Sequence, residues 1–464
     1  MQVGDGHAAT PRNRGLTWTR VALAAIVIPG PAASAAGPDV CPPQTFRWAE
    51  DCRGLAGISR RGTNALRYIP LRHDGDAWLT LGGEYRLRIE TVQDPDFAIS
   101  PVAGFTSVTG RAYVHADVRT RAGMRLFGQI SVSGEDGRLP GSRPVDTSGP
   151  DIAQLFVDVP VGPILLRFGR QEVDLGGNRL VSLRDAALRR SFDGLLLRVS
   201  AGPATITAFR LQPVAVARRS FDDARDRGDD FTGVSVALPA VRRVTTTLFA
   251  FDRRRSVART FSAAGGEQRR TYGIRVAWRD ARSDATGQVA VQEGRLAGQL
   301  IRSWGFALDA GHTLVLPSRP RIGLSFGYAS GDARAGDGRI GSFDPLYPNL
   351  SVFTDAPLYY PVNQINAEAN LSARPTRNLM LRFNGIMLAK ASTGDAVYAA
   401  SGRPLTGPGP NHLVGAVAEG TARWSVSRHV ELYGSVVRAF ALSAVRAADG
   451  QDTTYALVQV TTRF

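Results

Sequence analysis

Period-two alternation constrains this chain more than any other feature. From Trp78 onward, Leu79, Leu81, Gly83, Tyr85, Leu87 and Ile89 share one parity; Thr80, Gly82, Glu84, Arg86, Arg88 and Glu90 share the other. Successive side chains of a strand point to opposite faces, so one face is apolar and the other carries two arginines and two glutamates. The pattern recurs in Tyr272, Ile274, Val276 and Trp278 against Thr271, Gly273, Arg275, Ala277 and Arg279. It recurs again in Leu379, Leu381, Phe383 and Gly385 against Met380, Arg382 and Asn384. One such strand fits a soluble sandwich as well as a barrel in lipid. The strand count and the loop lengths separate the two.

Candidate strands run over 78–90, 106–119, 123–133, 151–160, 164–173, 194–200, 204–212, 231–238 and 242–251. They continue over 270–279, 286–292, 302–310, 321–329, 363–373, 377–388, 411–424, 430–440 and 453–464, eighteen in all. Counted from the first strand, even connections are mostly tight, as at 120–122, 161–163, 201–203, 239–241 and 374–376. Odd connections are long and polar: 134–150, 174–193, 213–230, 252–269, 330–362 and 389–410. Short periplasmic turns and long extracellular loops mark an outer-membrane barrel, and a sandwich has no reason to segregate loop length. The prediction is an all-β fold, a transmembrane antiparallel β-barrel of 18 strands spanning 78–464. A closed barrel lets lipid solvate the apolar face while every backbone group is paired. The last strand places Ala456, Val458, Val460, Thr462 and Phe464 on one face. A terminal aromatic there resembles the signal read by the barrel insertion machinery, so that machinery and outer-membrane lipid are expected partners.

Composition removes the other classes. Beyond the amino-terminal segment there is no run of 18 apolar residues, which excludes helical membrane spans. Two cysteines exclude a disulfide-rich scaffold. The formal charge is +15, yet Lys390 is the single lysine, and an arginine skew beside abundant Ala, Gly and Asp fits a GC-rich genome. No tandem cysteine ligands, recognition helix or RNA-binding aromatic motif accompanies it, so no nucleic acid is expected as a partner. Ser191, His73 and His115 form no nucleophile elbow or triad, and the expectation is no enzyme, no cofactor and no metal. The aspartates from Asp222 to Asp230 read as a solvated extracellular loop rather than a calcium site.

Arg12, Arg14 and Arg20 precede the apolar run Val21 to Ile28, and Ala33-Ser34-Ala35 offers small residues for cleavage. That order predicts a secretory signal peptide over 1–36. Residues 37–77 then form a short periplasmic pre-barrel segment, too short for the plug domain of a TonB-dependent transporter. Cys41 and Cys52, in an oxidising compartment, are expected to form a local disulfide.

Polar chemistry is densest from Arg167 to Gly194, where arginines outnumber acids. The alternation adds Arg86, Arg88, Arg111 and Arg125 as inward candidates, with Arg275 and Arg382. Arginine stays charged and presents a planar fork that matches carboxylates, and confined positive charge draws anions inward. Glu84, Glu172, Asp185 and Glu368 would hold those arginines and keep binding reversible. For any single arginine the plain alternative is a wall ion pair that only solvates the interior.

Arg167-Phe168-Gly169-Arg170-Gln171-Glu172, then Gly177-Asn178-Arg179-Leu180-Val181, Arg184-Asp185 and Arg189-Arg190-Ser191-Phe192-Asp193-Gly194 resemble the alginate export family. Ser330-Gly331-Asp332 and Phe343-Asp344-Pro345-Leu346-Tyr347-Pro348 are similar to that family too. The resemblance implies a monomeric 18-stranded barrel in the Gram-negative outer membrane with an anion-selective constriction. It further implies passage of an anionic polysaccharide, an alginate-like polyuronate, from periplasm to exterior, with periplasmic export proteins as partners. By resemblance the constriction falls on Arg167, Arg170, Arg179, Arg184, Arg189 and Arg190, with Glu172, Asp185 and Asp193 as counter-charges. Asp332, Phe343, Asp344 and Tyr347 would belong to a lid loop at one mouth. Two alternatives stay open: a general or small-solute anion-preferring porin, and a surface enzyme or binding protein on a barrel scaffold.

Overall fold

The computed structural model describes residues 41–57, 62–72, 75–177, 179–184 and 186–464. The signal-peptide expectation, His73, Asn178 and Asp185 lie outside the described residues. Among the described residues, eighteen long strands run up and down around a ring. The first six are β1 Ala77–Gln93, β2 Phe105–Thr120, β3 Arg125–Asp136, β4 Ser148–Val161, β5 Ile164–Gln171 and β6 Phe192–Ala201. The next six are β7 Ala204–Ala215, β8 Asp229–Val241, β9 Val244–Arg259, β10 Ala264–Arg279, β11 Ser283–Leu296 and β12 Gln299–Thr313. The last six are β13 Arg321–Ala329, β14 Gln364–Thr376, β15 Leu379–Ala389, β16 Leu413–Ser425, β17 Val430–Ala441 and β18 Thr453–Arg463. Each pairs antiparallel with the next, and β1 closes on β18 from Glu84↔Arg463 to Gln93↔Thr454. The sheet has no free edge, which is what a wall of strands in lipid requires.

Burial is inverted relative to a soluble protein. Phe168 and Val436 are 70% and 60% exposed on the outer face, while Glu84 and Arg86 are 6% and 5% exposed within. The apolar parity of each strand therefore faces lipid and the charged parity faces the lumen. Trp278 and Trp424 sit exposed near the tight-turn rim, as interfacial aromatics do.

One expected long connection turns out to be strand. β9 runs to Arg259 and β10 resumes at Ala264, paired in register as Arg259↔Ala264, so most of 252–269 is ladder. β11 and β12 are joined by a turn at 297–298. The charges of Arg253, Glu267 and Arg269 make this stretch look like loop. All three are in fact buried on the inward parity, because the strands run on through this stretch to Arg259 and from Ala264.

Chain that leaves the wall returns into it. The connection 172–191 between β5 and β6, and 330–363 between β13 and β14, fold inward. Val181 and Tyr347 from these loops join Phe192, Phe231 and Phe251 of the wall in one buried cluster. Near the end of β5, the φ of +125° at Gly169 and the 2.2 Å gap from a built Cβ to the Leu155 carbonyl oxygen admit no side chain. From the tight-turn end, the segment after Cys41 packs against the inner faces of β1–β5, and the Cys41–Cys52 disulfide closes its loop.

Candidate functional site

The inward parity of β1–β5 brings Arg86, Arg88, Arg111, Arg125 and Arg167 to one wall, and each is engaged. Arg167 donates to both carboxylate oxygens of Asp158 at 2.7 and 2.8 Å. Its guanidinium lies 4.2 Å from the Trp48 ring centre and 3.9 Å from that of Phe156. Arg125 forms a fork on Asp117 at 2.8 and 2.6 Å. Arg111 meets Glu84 at 2.6 Å and donates to the Ala187 carbonyl at 3.0 Å. Arg86 donates to the Ala186 carbonyl at 2.8 Å, and Arg88 to the Gln459 side-chain oxygen at 3.0 Å. Asp117 and Asp158 were not singled out from the sequence, although both share the inward parity of the arginines they hold.

Arg170 belongs elsewhere. It stands three residues from Arg167, and an odd spacing puts two side chains on opposite faces of a strand. In register it sits beside Leu155, a lipid-facing residue 47% exposed, and beside Asp193. It donates to both Asp193 oxygens at 2.8 and 3.2 Å and to the carbonyls of Ile152 and Asp223. This is an outer-face rim clamp on the 216–228 connection, so Arg170 and Asp193 are removed from the constriction set.

The inserted loop carries the rest. Leu175 and Val181 bridge to form its hairpin, and Val181 bridges to Tyr347. Arg179 crosses to β12, where its Nη2 donates to the two Asp309 oxygens at 2.8 and 3.1 Å. On the return limb, Arg189 donates to the Thr45 carbonyl at 2.7 Å and lies 3.7 Å from Glu172. Burial pushes the Glu172 carboxyl up, with Arg189 pulling the other way. Arg190 donates to the carbonyls of Tyr347 at 2.6 Å and Ser182 at 3.1 Å, and Arg184 to that of Leu188 at 3.3 Å. Neither meets a carboxylate among the described residues. Burial, then the neighbouring Arg184, hold the Arg190 guanidinium below the ordinary arginine range. The loop thus carries two arginines whose hydrogen bonds among the described residues go to backbone only, Arg190 lying besides 5.4 Å from the Tyr347 ring centre.

The expected lid is an insert pinned inside. Arg253 forks on Asp229 at 3.0 and 2.6 Å, and Tyr347 donates its hydroxyl to the same Asp229 at 2.7 Å. Asp344 lies 2.5 Å from Arg255 and 4.0 Å from Arg253. Burial opposes the Asp344 carboxylate, but Arg255, Arg253 and Arg269 outweigh it and hold it well below the usual carboxylate range. Phe343 and Asp332 are buried, the latter accepting from Ser262 at 2.6 Å. The insert is held by Arg253, Arg255 and Arg269 of β9 and β10, arginines that the sequence reading assigned to loop.

The pre-barrel segment completes the filling. Arg119 donates to the Trp48 and Glu50 carbonyls, Arg125 to that of Trp48, and Arg47 to that of Phe464 at 3.1 Å. Glu50 is buried between Arg47 at 2.9 Å and Arg67 at 2.8 Å.

A closed barrel of eighteen strands, aliphatic outside, arginine-rich inside and crossed by inserted loops, is an outer-membrane channel. Residues 77–459 match the family described as alginate export, and the chain belongs to that family. Its fold is similar to solved outer-membrane barrels. OccK5 (OpdH) of Pseudomonas aeruginosa shares 11% identity over 83% of this chain and 98% of its own, with a TM-score of 0.55. OccAB1 of Acinetobacter baumannii shares 11% over 87% and 99%, with a TM-score of 0.55. The outer membrane protein opdK of Pseudomonas aeruginosa shares 11% over 83% and 98%, with a TM-score of 0.54. None of the curated proteins compared matches the chain.

Proposed function

We propose that this protein is an anion-selective channel that passes a polyanionic polysaccharide of the polyuronate type from periplasm to exterior. The observation that carries the reading is the pair Arg184 and Arg190, lumen guanidiniums bonded only to carbonyls among the described residues. A carbonyl leaves the charge of an arginine uncompensated, whereas Arg111, Arg125 and Arg167 of the wall already have carboxylates. Uronate carboxylates would exchange hydration for contacts with these two groups and with Arg189, then move on. Passage without covalent chemistry needs binding strong enough to admit and weak enough to release. Family membership supports the polysaccharide as cargo. On this reading the channel works as a monomer and hands over from periplasmic export proteins.

A small anionic solute is the second reading, favoured by the crowding of the lumen by 172–191, 330–363 and the segment after Cys41. Single-channel recording of the refolded mature chain, with alginate titrated in, separates them. Polyuronate export expects an anion-selective current that the polymer blocks, with Arg190→Ala weakening the block. A current indifferent to polymer yet reduced by monomeric uronate supports the small-solute channel. No current from folded protein defeats both.

A further inference from the structure

The outward parity of β9–β12 changes character abruptly toward the end that carries the long connections. Ala250, Tyr272, Val291 and Trp304 are neighbours in register and make an unbroken apolar row. Two residues further along each strand, on the same face, stand Asp252, Arg270, Glu293 and Arg302. Beyond them come Arg254, Gln268 and Arg295. Four arginines thus face away from the lumen against two acids, and all four are exposed.

Their height follows from strand geometry. The four arginines lie nine to twelve residues from the tight-turn ends of their strands, at Val244, Arg279, Ser283 and Thr313. With a rise of about 3.4 Å per residue and a tilt of about 35–45°, that is roughly 22–33 Å up the barrel, the top edge of an apolar band about 25 Å tall. The arginines therefore meet the headgroup layer of the outer leaflet. They are also incompletely matched. Arg254 donates to Asp252 at 3.2 Å, and Arg270 stands 3.8 Å from Glu293. Arg295 donates to the Gly298 carbonyl at 2.9 Å, and Arg302 makes no hydrogen bond or ion pair among the described residues. By contrast Arg170 and Arg438, outward toward the same end of other strands, have Asp193 and Asp452.

An arginine fork takes phosphate through two parallel bonds. Arg254 and Arg295 flank Gln268 across the sheet, roughly 10 Å apart by strand spacing, and so can hold two anionic groups of one headgroup. Tyr272, Val291 and Trp304 immediately beneath offer apolar surface to acyl chains. We infer that the outward face of β9–β12 is a docking surface for a phosphorylated, multi-acyl glycolipid of the outer leaflet, with its phosphates on Arg254, Arg295 and Arg302. One exposed arginine needs no partner. Four at the lipid edge above a continuous apolar face, two of them without a carboxylate, complement an anionic lipid surface. The inference concerns the outer face alone and holds whatever the lumen passes.

The probe is bis-phosphorylated, hexa-acylated lipid A, titrated into the full mature chain in neutral detergent, with bound lipid counted by native mass spectrometry. Dephosphorylated lipid A and free pyrophosphate serve as comparators. The wild type should retain lipid A and not its dephosphorylated form, and equimolar pyrophosphate should not displace it. Arg295→Gln combined with Arg302→Gln is expected to weaken retention about tenfold, the scale of lost charge-assisted contacts at an exposed site. Arg438→Gln should leave retention at the wild-type level. Single-channel conductance should stay unchanged in every variant, because the lumen is untouched. Heat-modifiable gel migration shows that each variant is folded. Arg302→Gln alone, which breaks no bond among the described residues, should still lower retention several-fold and carries the test if the double variant does not fold. Wild-type retention in the arginine variants, or equal retention of dephosphorylated lipid, overturns the inference. Displacement by pyrophosphate would make the face a free-anion site, and a two-chain particle that the double variant splits would make it a protein interface; either result also overturns it.

Discussion

Burying the Arg167 guanidinium in the wall costs desolvation that only a matched carboxylate recovers. Asp158 supplies it with two bonds of 2.7 and 2.8 Å, and both side chains are almost wholly buried. Asp158→Asn keeps the shape and removes the charge, leaving Arg167 uncompensated, and should destabilise the barrel by about 3 kcal/mol. Urea unfolding followed by tryptophan fluorescence in detergent reads that loss; an unchanged midpoint would mean water reaches the pair. Arg170, three residues on, tests the opposite case. Its side chain faces outward with Leu155, so Arg170→Ala should leave polymer block at the wild-type level while Arg190→Ala weakens it. Equal effects of the two variants in the same bilayer assay would refute the face assignment. The motif that contains both arginines reads as one cluster in sequence. Only strict parity separates the lumen residue from the rim residue.

At the scale of elements, strands were legible and inserted chain was not. All eighteen strands follow from alternation because a wall between lipid and water writes its two faces at period two. No such period marks 172–191 or 330–363, whose partners lie on strands far away in sequence. Asp344 shows what that hid, since its carboxylate answers Arg253 and Arg255 of β9. Its folded pKa is depressed, so its contribution is present above the unfolded value and is lost only as pH falls through the folded one. Acidification from about pH 7 to about pH 4 should therefore leave the 330–363 insert in place. Asp344→Asn should loosen it at every pH. Hydrogen exchange of the 340–350 peptides checks both, and exchange that accelerates with acid in the wild type would count against the pinning. The segment after Cys41 is a third insert, held by Trp48 against Arg125, Arg167 and Phe156. Trp48→Ala should free it, raising exchange in 41–57 and increasing single-channel conductance. Faster exchange without more current would place the segment off the conducting path.

For the molecule as a whole, the inversion of inside and outside organises everything else. Arginine that would be a surface residue in a soluble protein lines a lumen here, and aliphatic residues that would form a core form the outer wall. The composition alone, with its +15 charge, suggests a basic surface; the fold turns much of that charge inward. A charge added outside is therefore the decisive check on the architecture. Val436 lies near the middle of β17, 60% exposed, with Gly420 and Ala456 beside it in register. Val436→Arg would put a guanidinium against hydrocarbon with no carboxylate opposite, at a cost of about 2–4 kcal/mol if the site is at the bilayer midplane. The same substitution at Val426, in the tight turn before β17, should cost little, because charge near the interface reaches headgroups and water. Reversible folding into lipid vesicles, titrated with urea, measures the two side by side. A large penalty at Val436 and a small one at Val426 fixes the height of the membrane on the barrel; equal penalties would mean that β17 does not face lipid.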